Sequence, residues 1–505
     1  IGDAVAKDAK FETGVSFGST GADEPYSSLT DKDGNYYISG MCRGDVEFAG
    51  GATIKGRGGM DAVIVKYDAE LNFLWARAVG GSKDDTFERI AVTSAGDIVA
   101  VGKISGDVTI DGTDQTLSGT QSTDGCIVVY DKDGNYKSSA QIKAAGASLC
   151  YSVAVDKSDN IFVTGSTVGA TDFGNEKTVT IEGSNPGTFL ACYNNSLVCQ
   201  WAIAGSSPVQ SYGWAVNFDK EENILLTGRF GTTFTITGTD GEALTTAVGS
   251  ESSQDTYVAK LSHEGVGQWI TYVTNSNRID TRSIDSDSQG NVYIWGHCQS
   301  AVTPEGQSPL GFNGNFDSFL IKYSSAGAYL DGMNLGGSGR DEAKSLFVDA
   351  DDNIYVAGNV NGDGSKGGTA VNMNPRGESK DYTFKGHDGY VAKYNGSTWE
   401  LMQLEKTVTP DNANQHEVAW CVTMSPDYNK VYVTGYFNNG ATVFDGASLT
   451  LPFVRDYDIY TVLYSYTLMV KTKTLEPGVA NEPYYSNIVV DNVEGAVKFE
   501  IVSGA

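Results

Sequence analysis

Asp61-Ala-Val-Ile-Val-Lys-Tyr67 decides the fold, because its spacing of an Asp and an aromatic six residues later returns at Asp124/Tyr130, Asp317/Tyr323, Asp388/Tyr394 and Asp458/Tyr464. Two further copies have drifted. Asp255 is followed by Leu261, and Gly187 stands in place of Asp before Tyr193. Within the quoted stretch apolar residues lie on both sides of the alternation, Ala62 and Ile64 against Val63 and Val65, as in a strand buried on both faces. Upstream of each copy a strand-like run ends in glycine, at Gly40, Gly102, Gly165, Gly228, Gly296, Gly358 and Gly435. Seven copies of one unit predict an array in which each unit packs only on its neighbours.

Outward from the quoted strand, the first copy reads as Ser27 to Asp31, a turn at Asp33-Gly34-Asn35, Tyr36 to Gly40, then Asp61 to Asp68 and Phe73 to Val79. Four short antiparallel strands are the size of one propeller blade. Sixty-one glycines against eleven prolines fit an all-β class with many tight turns. Successive repeat glycines lie 62, 63, 63, 68, 62 and 77 residues apart, longer than the roughly 40 to 45 of WD-type repeats. The surplus falls between the second and third strands, so these connections are expected to crowd one face of the disc.

The runs Ser152-Val-Ala-Val-Asp156 and Asn160-Ile-Phe-Val-Thr-Gly165, with Asp388-Gly-Tyr-Val-Ala-Lys-Tyr394, resemble the bacterial beta-propeller repeat family of secreted and surface proteins. The resemblance runs to about residue 474 and implies a seven-bladed β-propeller of four-stranded antiparallel blades. It implies no catalytic motif. The seventh copy lacks a fourth strand of its own, while Phe11 to Phe17 is an orphan strand at the start. Residues 10–18 are therefore expected to complete the last blade and close the circle within a domain spanning 1–474. Residues 475–505 read as a short C-terminal β extension, a hairpin that covers the propeller's rim or pairs with another subunit.

The formal charge of −28 disfavours nucleic acid and anionic membrane surfaces. No apolar run approaches the ~18 residues of a membrane helix, so no transmembrane segment is expected. A start at Ile1 fits a processed product, and together with the resemblance points to a secreted or cell-surface location. Seven cysteines are too few for a disulfide framework. Cys192 and Cys199 flank a hairpin loop and read equally well as a disulfide or as two reduced thiols. Asn194 and Asn395 lie in Asn-X-Ser sequons open to glycosylation.

Asp31-Lys-Asp33-Gly-Asn35, Asp131-Lys-Asp133-Gly-Asn135 and Asp349-Ala-Asp351-Asp352-Asn353 have a superficial calcium-loop look, but the first two occupy different hairpins, which is the behaviour of turn chemistry. No metal or other cofactor is expected, with calcium kept as the minor alternative. The strand-opening Asp61, Asp124, Asp255, Asp317, Asp388 and Asp458 read as structural positions that satisfy backbone N–H groups of the preceding loop. Binding is expected on the long-loop face, at Asn361, Asp363, Lys366, Arg376, Lys380 and Asp381 of the sixth copy and Asp240 and Glu242 of the fourth. The expected function is a non-catalytic extracellular binding or scaffolding module. Its partner is a protein or glycan, and self-assembly can run through the C-terminal extension. The alternative is a propeller enzyme acting on an extracellular polysaccharide, which would require convergent acids in the central funnel.

Overall fold

The computed structural model describes residues 9–247, 254–361, 369–384, 387–408, 416–438 and 456–466, with short pieces at 442–444, 447–449 and 451. The proposed C-terminal hairpin lies outside the described residues. The described chain is all-β, and its one helical element is a single turn at Ala49–Gly51. The first copy comprises Glu24–Thr30, Tyr36–Cys42, Asp61–Tyr67 and Phe73–Gly81, each strand antiparallel to the next. Six further sets follow it along the described chain, the second joined to the first through Phe73–Gly81 and Ile98–Ile110. In the last, Glu417–Met424, Lys430–Phe437 and Asp458–Tyr466 are joined by Ala9–Phe17, which pairs antiparallel with Asp458–Tyr466 from Phe17↔Ile459 to Ala9↔Tyr466. Both ends of the described chain therefore share one sheet.

The sets touch each other in sequence through their first strands. The first strand of the seventh also touches that of the first. Apolar side chains of both faces are consumed between sets. One cluster holds Tyr36, Ile38 and Val63 of the first set with Phe17, Tyr432 and Ile459 of the seventh. Among the described residues there are seven such clusters, each spanning two consecutive sets. The third strands explain this, since every residue from Asp61 to Tyr67 is buried. Turns add a second tie: Gly134, at φ 81°, lies flat against Trp75 of the preceding set, where a Cβ would come within 2.8 Å of the indole.

The long connections have a different use from the free loops expected. Five of them add to the outer edge of the preceding set, while Val46–Glu47 with Thr53–Ile54 and Thr369–Asn372 with Asp381–Phe384 form separate two-stranded sheets. Among the five, Thr233–Thr237 and Ala243–Ala247 form a hairpin, and Ile236 pairs with Gly205 on the fourth strand of the third set. Gly169–Asp172 pairs likewise with Lys143 and Ala144 of the second. An exposed fourth strand offers unpaired N–H and C=O groups, and the next copy's surplus residues cover them.

The repeat glycines have a shared cause. Each sits opposite a register shift in its own first strand: Gly40 pairs Pro25 and the shift follows at Tyr26; Gly165 pairs Cys150 and the shift follows at Tyr151. A Cβ on Gly165 would stand 1.8 Å from the Leu149 carbonyl oxygen, and one on Gly102 would stand 1.9 Å from that of Thr86. A side chain there would push the bulged strand away. Gly165→Ala should therefore lower the melting midpoint by several degrees, reflecting a cost of about 1–3 kcal/mol. Gly311→Ala, whose Cβ meets nothing nearer than 4.0 Å, should leave it unchanged in the same thermal scan.

Candidate functional site

A register shift leaves one residue without a partner and turns it out of the ladder. The seven shifts single out Tyr26, Glu88, Tyr151, Trp214, Arg282, Lys344 and Trp420. Six lie fourteen residues before the repeat glycine of their copy and Trp420 lies fifteen before Gly435. All seven line one cavity of about 390 Å³, walled by the first strands of all seven sets. A cavity of this size with aromatic walls and a few convergent polar groups is the usual form of a small-ligand site.

Four of the seven are aromatic. The Tyr151 and Trp214 rings lie 4.4 Å apart and those of Tyr26 and Trp420 lie 5.6 Å apart. Cations sit against them: Lys344 Nζ is 4.1 Å from the Trp420 ring centre, and the guanidinium of Arg282 is 5.5 Å from that of Trp214. Arg89, next to the bulged Glu88, reaches across the cavity and donates to the Arg282 carbonyl at 3.4 Å. Burial raises the Glu88 carboxyl, which accepts a hydrogen bond from Thr86 Oγ1 at 2.7 Å, and burial lowers Lys344. Asp285 also lines the cavity. Burial pushes it up to about 6, and its oxygens accept from Val348 N, Ser286 N and Asn217 Nδ2.

Behind the bulged residues, Asp280 gathers Arg278 at 2.6 Å, Arg229 at 3.3 Å and Arg282 at 3.9 Å. Burial works against its ionisation, but its bond with His297 and the charges of Arg282 and Arg278 hold its carboxyl far below the usual range. Glu342 similarly holds Lys344 at 2.8 Å and Arg340 at 2.6 Å.

The residues expected on a long-loop face are not gathered into one site. Arg376 donates to Asp331 and to the Gly332 carbonyl, both at 2.5 Å, and so ties its hairpin to the fourth strand of the fifth set. Asp240 Oδ1 accepts from Glu242 N at 3.0 Å in an exposed hairpin tip. Asp381 accepts from Ser379 Oγ, Lys380 N donates to Asn372 Oδ1, and Asn361 N donates to Asp341 Oδ1. Asp363 and Lys366 lie outside the described residues. Among the strand-opening acids, Asp61 accepts from Arg57 N at 2.8 Å, Asp255 from Asn275 N at 3.2 Å and Asp317 from Asn313 N at 2.5 Å; Asp124, Asp388 and Asp458 are buried alongside them. Asp31, Asp131 and Asp349 each spend their oxygens on N–H groups of their own turns, as in Asn35 N to Asp31 Oδ1 at 2.9 Å.

Cys192 and Cys199 are free thiols, not a disulfide. A register shift places Trp201 opposite Cys192 and Tyr193 opposite Cys199, so the two sulfurs belong to opposite faces of the sheet. Cys192 packs toward the fourth set and Cys199 toward the second. Asn194 and Asn395 both use Oδ1 as acceptor for turn N–H groups, from Ser196 and Val198 and from Ser397 and Thr398.

Residues 139–174, which hold Tyr151 and Gly165, match the beta-propeller repeat. The resemblance read from the sequence holds there. An uncharacterized WD repeat-containing protein of Acanthamoeba polyphaga mimivirus is 21% identical over 435 residues, 70% of this chain but only 31% of that protein's length. Among solved structures, the Dos1 propeller aligns with 90% of this chain and 95% of its own at 9% identity and a TM-score of 0.40. Prolyl oligopeptidase B from Galerina marginata aligns with 86% of this chain and 56% of its own at 12% identity and a TM-score of 0.28. No helix among the described residues is long and apolar enough to cross a membrane.

Four buried carboxyls give the fold a readable pH response. Burial pushes Asp85 and Asp341 up to about 7, and Asp285 and Asp317 up to about 6. An unfolded Asp titrates near 3.9, so between those values the folded chain binds more protons than the unfolded one. Their contribution is full below about pH 4 and is lost as pH rises through 7. The melting midpoint should accordingly rise when pH is lowered from about 8 to about 7, above the range in which His297, His387 and His416, lowered by burial, oppose it. A midpoint that falls across that window would contradict the assignment.

Proposed function

We propose that the seven strand sets are the blades of one β-propeller closed by the N-terminal strand, and that this propeller works outside the cell or at its surface as a non-catalytic binding module. Its ligand, a glycan or a segment of a protein, is held in the central channel. The observation that carries this reading is the coincidence of seven register shifts with the seven side chains that line one cavity. A bulge costs ladder hydrogen bonds, and seven in equivalent places make one varied surface from a repeated frame. Aromatic and cationic residues at such a surface are those that supply most binding energy per side chain.

The enzyme alternative needs two free acids converging on a bond. Of the two carboxyls in the cavity, Asp285 spends its oxygens on three N–H groups, which leaves Glu88 alone. That favours binding over hydrolysis.

Trp420→Ala should weaken capture of whatever glycan or protein the wild-type chain retains on an array by at least about tenfold, the scale of a hot-spot aromatic. The paired change Asp240→Ala and Glu242→Ala, at an exposed hairpin tip, should leave capture unchanged. The reverse pattern would place the site on the rim and refute the channel.

A further inference from the structure

Resting on that reading of the channel, we infer that its ligand carries a carboxylate, of the size of one or two sugar-acid rings, held by Arg89, Arg282 and Lys344. The first support is charge. Six cations stand at or behind the channel wall: Arg89, Arg282 and Lys344 line it, and Arg229, Arg278 and Arg340 pair with Asp280 and Glu342 behind it. The facing acids are Glu24, Glu88, Asp280, Asp285 and Glu342, five against six, and His297 is held toward its neutral form by burial. The channel is thus net positive in a chain of charge −28. A positive cleft inside a negative surface draws a small anion inward while the exterior repels bulk polyanions.

The second support is unspent donors. Asp280 and Glu342 each pair with two or more cations, yet the Arg282 side chain reaches its nearest carboxylate only at 3.9 Å and makes no hydrogen bond among the described residues. Arg89 Nε, Arg282 Nε and Trp214 Nε1 are buried with no acceptor. All three can only donate. Buried donors left unmade cost more than surface ones, and a ligand that supplies acceptors removes that cost. A carboxylate matches a guanidinium fork in both geometry and charge.

The third support is rigidity. The cations are not loose: Arg282 lies over Trp214, Lys344 over Trp420, and Arg89 is pinned to the Arg282 carbonyl. The Trp214 and Trp420 rings already carry these cations, so these two aromatics serve to hold charge in place more than to stack on a neutral sugar. Pre-positioned donors lose less entropy when a ligand arrives.

Calorimetry on the full chain tests this with galacturonate, an oligogalacturonate, acetate and galactose at low and physiological salt. Galacturonate or its oligomer should bind, galactose should bind at least about tenfold more weakly, and the acid's affinity should fall with added salt. Arg282→Gln and Lys344→Met should each weaken the acid at least about tenfold; Arg282→Gln should leave the melting midpoint within about two degrees, whereas Lys344→Met should lower it, because Glu342 loses its buried partner at 2.8 Å. Binding of the oligomer but not the monomer would point to a glycan chain as the source, and equal binding of acetate would point to a free acid. Failure of all three acids to bind, or galactose binding as tightly as galacturonate, overturns the inference. Capture that is still lost in Trp420→Ala would then keep the channel as the site with a ligand of different chemistry.

Discussion

Each of the seven strand sets among the described residues is apolar on both faces, and no such sheet can bury both faces alone. The third strands make this plain: Asp61 to Tyr67, Gly187 to Tyr193 and Asp255 to Leu261 are buried at every position. Such strands are stable only between two others, so each set needs a neighbour on either side. A linear stack would leave two faces wet. The cluster joining Phe17, Tyr432 and Ile459 to Tyr36 and Val63 removes that deficit by bringing the chain's last set against its first. In this account the pairing of Ala9–Phe17 with Asp458–Tyr466 is what holds the two ends of the stack together.

The same geometry produces the site. First strands that touch in sequence, with the seventh also meeting the first, must present side chains to one another at close quarters. A register shift in each one lifts a single residue out of the ladder and into the space between them. The glycine opposite is the cost of that shift, since only hydrogen fits beside the bulged carbonyl at Gly102, Gly165 or Gly435. Frame and surface are thereby separated. The glycine and the apolar strands repeat, whereas the bulged position is free to be Tyr, Glu, Trp, Arg or Lys. The result is a channel whose aromatics carry cations, within a chain whose remaining surface is strongly acidic.

Much of the frame was legible in the sequence because its signals are local. An Asp, an aromatic six residues on and an upstream glycine mark the third and second strands of each copy, and the pairing of Cys42 with Asp61 through Tyr36 with Tyr67 follows from them. The orphan strand at the start and the missing fourth strand of the seventh copy were equally visible. The site was not legible in the same way. Tyr26, Glu88 and Lys344 share no chemistry, and only their constant distance from the repeat glycine betrays a common place. The long connections were misread because what they pair with lies in the preceding copy, as Ile236 does with Gly205. Arg376 looked like a free cation for the same reason, its partners Asp331 and Gly332 being more than forty residues away. Cys192 and Cys199 looked adjacent across a turn until a one-residue shift put them on opposite faces.

The claim on which the rest depends is that the N-terminal strand completes the ring. Removing residues 1–18 and recording the thermal unfolding curve of the remaining chain tests it directly. The account predicts a fall in midpoint of more than about 10 °C, because eight strand pairings and the burial of Phe17 are lost from the seam that joins first and last sets. An unchanged midpoint would contradict it.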